Sequence, residues 1–108
     1  MITLLLVGSR EEPVERFAAG HPSVEVMTAG GGEEALEKLA RNRRIDAVLI
    51  VAGAETAEIA AMIREEDPGA PPLYAPASAG AAPAVRLLGA DSPERLLEAI
   101  VQALSADG

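Results

Sequence analysis

Ile45-Asp46-Ala47-Val48-Leu49-Ile50-Val51-Ala52-Gly53-Ala54 is the longest strongly apolar, β-branched run of the chain and lies near its middle. It is too short to cross a bilayer, which takes about 20 apolar residues as a helix. A strand with one wet face alternates apolar and polar residues. This run does not, which predicts a central parallel strand over residues 45–52 covered on both faces. Ile2-Thr3-Leu4-Leu5-Leu6-Val7 reads the same way, as a second buried strand.

Around these two strands the chain alternates. Pro13 suits a first helical turn, with Val14, Phe17 and Ala18 on one face and Gly20 at its end. Val24-Glu25-Val26-Met27 alternates as an edge strand does. Gly30-Gly31-Gly32 opens a helix whose stripe is Ala35, Leu36, Leu39 and Ala40. After the central strand, Thr56 is expected to cap a helix with Ile59, Met62 and Ile63 inward, and Pro68 to end it. Leu73-Tyr74-Ala75 and Val85-Arg86-Leu87-Leu88 read as short strands. Between them, residues 78–83 are Ala, Gly, Ser and Pro, too broken for a helix of any length. Ser92 then caps, Pro93 starts, and Leu96, Leu97, Ile100, Val101 and Leu104 line the cleanest amphipathic helix of the chain. Strands alternating with helices predict a flavodoxin-like α/β domain over residues 1–108. Its parallel sheet has five strands in the order 2-1-3-4-5, with helices on both faces and the fourth helix shortened or absent.

Composition narrows the function. The chain has 108 residues, enough for one domain with a single core, and its aromatic content is 2%, so Leu, Ile, Val and Ala must build that core. Cysteine is absent, which excludes disulfides and thiolate metal sites. No export signal is visible, which reads as a cytoplasmic protein. The net charge is −8, and the acidic excess sits in residues 55–108, with 9 acids against 3 bases. Nucleic-acid binding needs a basic face, and the one basic cluster, Arg41, Arg43 and Arg44, suits a helix C-terminus instead. Neither nucleic acid nor membrane is expected as a partner.

Three stretches resemble the receiver domain of two-component response regulators. Ala29-Gly30-Gly31-Gly32-Glu33-Glu34-Ala35-Leu36 is similar to the opening of that family's second helix. Ile45-Asp46-Ala47-Val48-Leu49-Ile50 resembles its third strand, and Ser92-Pro93-Glu94-Arg95-Leu96-Leu97 its last helix. The resemblance implies where receiver chemistry ought to sit, and those residue types are missing. The acidic pair that holds Mg²⁺ falls on Gly8 and Ser9, and the phospho-acceptor Asp on Val51. The hydroxyl residue falls near Pro76 and Ala77, with Ser78 the closest hydroxyl. The Lys falls on Gly89 and the switch aromatic on Arg86. Phosphoryl transfer to a carboxylate needs that carboxylate and a metal held by hard oxygens. Val51 supplies neither, and Glu11, Glu12 and Glu55 just beyond the strand ends read as helix N-terminal acids.

The expectation is therefore a pseudo-receiver: no catalytic residue, no metal, no cofactor, and a regulatory role through protein–protein contact, with an effector domain, a partner or a second copy. In receivers the outputs use the fourth-helix, fifth-strand and fifth-helix face. Here that implies an interaction surface with Tyr74, Arg86, Leu88 and Arg95. The alternative is a small-ligand or anion site in a crevice formed by Gly8, Ser9, Arg10 and Val51-Ala52-Gly53-Ala54, where open α/β sheets bind ligands. Other patterns are weaker. Gly30-Gly31-Gly32-Glu33-Glu34-Ala35 matches G-x-G-x-x-A formally, but follows the second strand and brings two acids to a phosphate position. Ser9, His21 and Asp46 supply the residue types of a hydrolytic triad without a nucleophile elbow.

Overall fold

The computed structural model describes residues 2–8, 11–42, 44–51, 55–77, 85–89 and 92–106, with only the backbone at 11–13, 93 and 106. The element order is β1 (Ile2–Val7), α1 (Glu11–Gly20), β2 (Val24–Ala29), α2 (Gly32–Arg41), β3 (Ala47–Ile50), α3 (Thr56–Glu66), β4 (Leu73–Pro76), β5 (Val85–Leu88) and α4 (Pro93–Ala106). The five strands are all parallel and stand in the order β2-β1-β3-β4-β5, the flavodoxin-like arrangement. The described residues thus hold four helices, and the β4–β5 connection, residues 77–84, is eight residues long. A parallel crossover usually takes a dozen or more.

The apolar strands follow from burial on both faces. Successive side chains of a strand point to opposite sides. Leu4 and Leu6 of β1, Ala47 and Leu49 of β3 and Tyr74 of β4 face α1 and α4, where Val14, Phe17, Leu96, Leu97 and Ile100 meet them. Leu5, Val7, Val48, Ile50 and Leu73 face α2 and α3, against Ala35, Leu39, Ile59, Ala60 and Ile63. With two covered faces, Leu4–Val7 of β1 and the whole of β3 are buried whichever way the side chain points, so neither strand alternates.

The central strand is shorter than residues 45–52. Asp46 stands before it: its N–H donates to the Thr3 carbonyl (2.7 Å) and its carboxylate accepts the Thr3 N–H (2.8 Å). One residue thus closes the open end of the β1–β3 ladder from both sides, and the regular pairing starts at Leu4 with Ala47. At the other end, Val51 still donates its N–H to the Val7 carbonyl (2.8 Å).

Two expectations for α3 are corrected. Thr56 is not its cap. Glu55 occupies that position with φ −86° and ψ −5° and makes no side-chain cap bond, while Thr56 enters the helix and is buried. Met62 is not inward either; it is 38% exposed, and Ala60 takes the core position. The inward stripe is Thr56, Ile59, Ala60 and Ile63, and Met62 lies at its α2 edge, over Gly32. Pro68 acts as expected: Asp67 before it leaves helical geometry at φ −135° and ψ 83°.

Candidate functional site

The C-terminal ends of the strands are where this fold class places ligands. Gly8 follows β1 with φ 86°, a left-handed conformation that suits glycine, and its N–H donates to the Ala29 carbonyl (2.8 Å). Val51 follows β3. It is half-buried and packs on the core between the sheet and the α1/α4 layer. Pro76 ends β4 half-buried, and Ala77 after it is exposed. Gly89 follows β5 in open space, with nothing within 4 Å of the place a Cβ would take, so no steric reason keeps a longer side chain out. The described positions that the resemblance assigns to receiver chemistry are therefore occupied here by glycine, valine, proline, alanine and, for the switch aromatic, arginine. Ser9, Arg10, Ala52, Gly53, Ala54 and Ser78 lie outside the described residues. The crevice reading thus rests on Gly8 and Val51 alone. Among the described residues no group of three or more His, Cys, Asp or Glu could hold a metal ion, and no helix is long and apolar enough to cross a membrane.

The glycine-rich turn has a structural occupant. Glu34, in the first turn of α2, accepts the Gly30 N–H through Oε2 (2.9 Å), so the chain's own carboxylate sits where a phosphate would be sought. Lys38 donates to the Thr28 carbonyl (2.6 Å) and lies 3.9 Å from Glu34, which ties α2 to the end of β2. The members of the notional triad have other partners. The Asp46 carboxylate is taken by Thr3, and the His21 ring stacks on Phe17 with centroids 4.1 Å apart, its Nδ1 3.0 Å from the Phe17 carbonyl.

The β5 side gives a different surface from the expected one. Tyr74 does not belong to it: the ring is buried at 3% exposure in the α1/α4 core layer. Leu88 is half-buried against the same layer. The reason is the pleat. Tyr74 pairs with Arg86 and Pro76 with Leu88, so these residues share the face that α4 covers. Leu87, on the opposite face, is the exposed one at 42%. Arg86 is exposed and lies over the Tyr74 ring at 5.9 Å, and Arg95 is exposed in the first turn of α4. The exposed residues on this side are thus Arg86 and Leu87 of β5, an edge strand with one neighbour, and Arg95 of α4.

Thr56 plays a part that the sequence does not show. Thr56 is 1% exposed and its Oγ1 has no hydrogen-bond partner among the described residues. A Thr one place into a helix looks the same in sequence as a Thr that caps it.

No protein-family model matches the chain, and no curated protein sequence matches it. Among solved structures, a chain of the crystal structure of the phosphorylated P1 domain of CheA3 in complex with CheY6 from R. sphaeroides is similar over 97% of both chains, with a TM-score of 0.64 and 21% identity. At that identity the two chains share a fold: the doubly wound five-stranded parallel sheet.

Proposed function

We propose that this domain is a pseudo-receiver, a receiver-like unit that serves signal transduction or regulation through protein–protein contact and does not itself accept a phosphoryl group. The observation that carries the reading is Val51. It stands at the end of β3, half-buried and packed on apolar core, where receivers carry the acceptor carboxylate. Gly8 and Gly89 support it, since neither supplies a metal ligand or a cation. The fold shared with a two-component signalling structure is in keeping with it. The reading carries no enzymatic activity and a cytoplasmic location. Its contact surface is the β5 edge with Arg86 and Leu87, together with Arg95 at the start of α4, against a partner, an attached effector domain or a second copy.

The test is an NMR titration of the chain with Mg²⁺ and a small-molecule phosphoryl donor, with intact mass recorded alongside. No mass increase and no shifts at the strand ends are expected. Shifts clustered at Gly8 and Val51 that need both donor and Mg²⁺ would overturn the proposal. Val51→Asp is expected to stay unphosphorylated, because the end of β1 still offers no carboxylate to hold the metal.

A further inference from the structure

β2 is an edge strand of six residues with β1 as its one neighbour. The carbonyls of Ser23 and Ala29 accept the N–H groups of Ile2 and Gly8 (3.1 and 2.8 Å), so the odd-numbered residues of this stretch turn their backbone groups toward β1. In a parallel strand the N–H and C=O of one residue point to the same side, and those of the next residue to the other. Val24, Val26 and Thr28 therefore present their backbone groups outward, away from the sheet. An edge of this kind is a template for a further strand.

One outward group is already taken at each end of β2. The Val24 N–H donates to the His21 carbonyl (3.0 Å), and the Thr28 carbonyl accepts from Lys38 Nζ (2.6 Å). Lys38 is the chain's one lysine. Its ammonium lies 3.9 Å from Glu34 Oε1, and its side chain is 32% exposed. The bond to Thr28 has a charged donor, which makes it stronger than the amide bond that an incoming strand would offer in its place.

The two taken groups are each other's partners in one particular pairing. A second copy can lay its own β2 antiparallel along this edge with the two Val26 residues opposite each other. Val24 of each chain then stands opposite Thr28 of the other, and each opposed pair exchanges two bonds. The side chains suit this register: Val26 meets Val26 on one face and Glu25 meets Met27 on the other, so no two carboxylates stand directly opposite. In each outer pair, one of the two bonds joins the Val24 N–H to the Thr28 carbonyl. Those are the groups held by His21 and Lys38, and the ammonium stands where the incoming N–H would have to come.

We infer that Lys38 is a latch on the β2 edge: its ammonium keeps the chain from pairing β2 with the β2 of a second copy, and removing that charge opens the edge to a two-fold dimer with one continuous sheet. The latch is at the opposite edge of the sheet from β5, and it works whether or not Val51 takes part in phosphoryl chemistry.

The test compares the full chain with Lys38→Met, which keeps the apolar stem and removes the ammonium. Arg41→Met is the control; it removes a cation of the same helix that is paired with Glu37 and not with β2. Sedimentation equilibrium gives the dimerisation constant of each chain. Lys38→Met is expected to dimerise about a hundredfold more tightly than the unaltered chain, about tenfold for each of the two latches released. Arg41→Met is expected to stay within about twofold of the unaltered chain. Amide exchange of the Lys38→Met dimer is expected to gain protection at Val26 and Thr28, whose N–H groups point outward. Adding Val26→Pro to Lys38→Met is expected to restore the monomer, because it removes an outward N–H and leaves the bonds to β1 in place. Melting curves check that the double variant folds, and the exchange pattern of the single variant decides by itself. Lys38→Met that stays monomeric at millimolar concentration, with exchange at Val26 and Thr28 unchanged, would overturn the inference. So would a dimer as tight in Arg41→Met, or one whose protection falls on β5 or on the helices.

Discussion

Asp46 and Thr56 are both single polar side chains at an end of β3 or of the helix that follows it, and they act in opposite directions. Asp46 is exposed and its carboxylate accepts the Thr3 N–H at 2.8 Å, a charge-assisted bond across 43 positions of chain. Asp46→Ala is expected to lower stability by about 1 kcal/mol, since water can replace part of what is lost. Asp46→Asn, which keeps an acceptor, is expected to lose less; urea unfolding of the three chains checks the order. Thr56 is buried with an unpartnered hydroxyl. Removing that oxygen and keeping the shape relieves a desolvation penalty, so Thr56→Val is expected to be neutral or to stabilise by about 1 kcal/mol. A clear loss of stability in the same unfolding assay would mean that the hydroxyl has a partner in solution.

At the scale of elements, what could be read in advance is what periodicity encodes. The two double-covered strands β1 and β3 announced themselves by their lack of alternation, and α4 by its stripe and its start. Ser92 accepts the Arg95 N–H through Oγ (3.3 Å) and its carbonyl accepts the Leu96 N–H (3.0 Å), as a capping serine before Pro93 does. Ser92→Ala is expected to cost about 1 kcal/mol and Ser92→Gly less, measured by thermal unfolding. Where an outcome depended on a neighbour, the sequence was silent. Whether Met62 turns in or out is decided by the missing side chain of Gly32, 30 positions away. Which of Leu87 and Leu88 faces water is decided by the register of β5 on β4, and four residues of strand do not reveal a register. The candidate site was legible only as a set of replaced residues at Gly8, Val51 and Gly89.

At the scale of the whole molecule, the described residues form a sheet with a helix pair on each face, and its strands are not equivalent. β1 has a strand on each side and a helix layer above and below, and Leu4, Leu5, Leu6 and Val7 are wholly buried. β5 has one neighbour, four residues and no buried side chain. Folded proteins open locally with free energies from near zero up to that of global unfolding, according to how much each segment buries. The last strand is therefore expected to detach and re-pair on its own while the other four stay intact. Deuterium is expected to enter the amides of β5 first and those of β1 last, read residue by residue under native conditions. Uniform exchange of all five strands would mean a single cooperative unit. An edge that opens in this way is unfinished without company: whatever docks against Leu87 would slow its exchange, and protection gained there identifies a partner even when no other property of the chain changes.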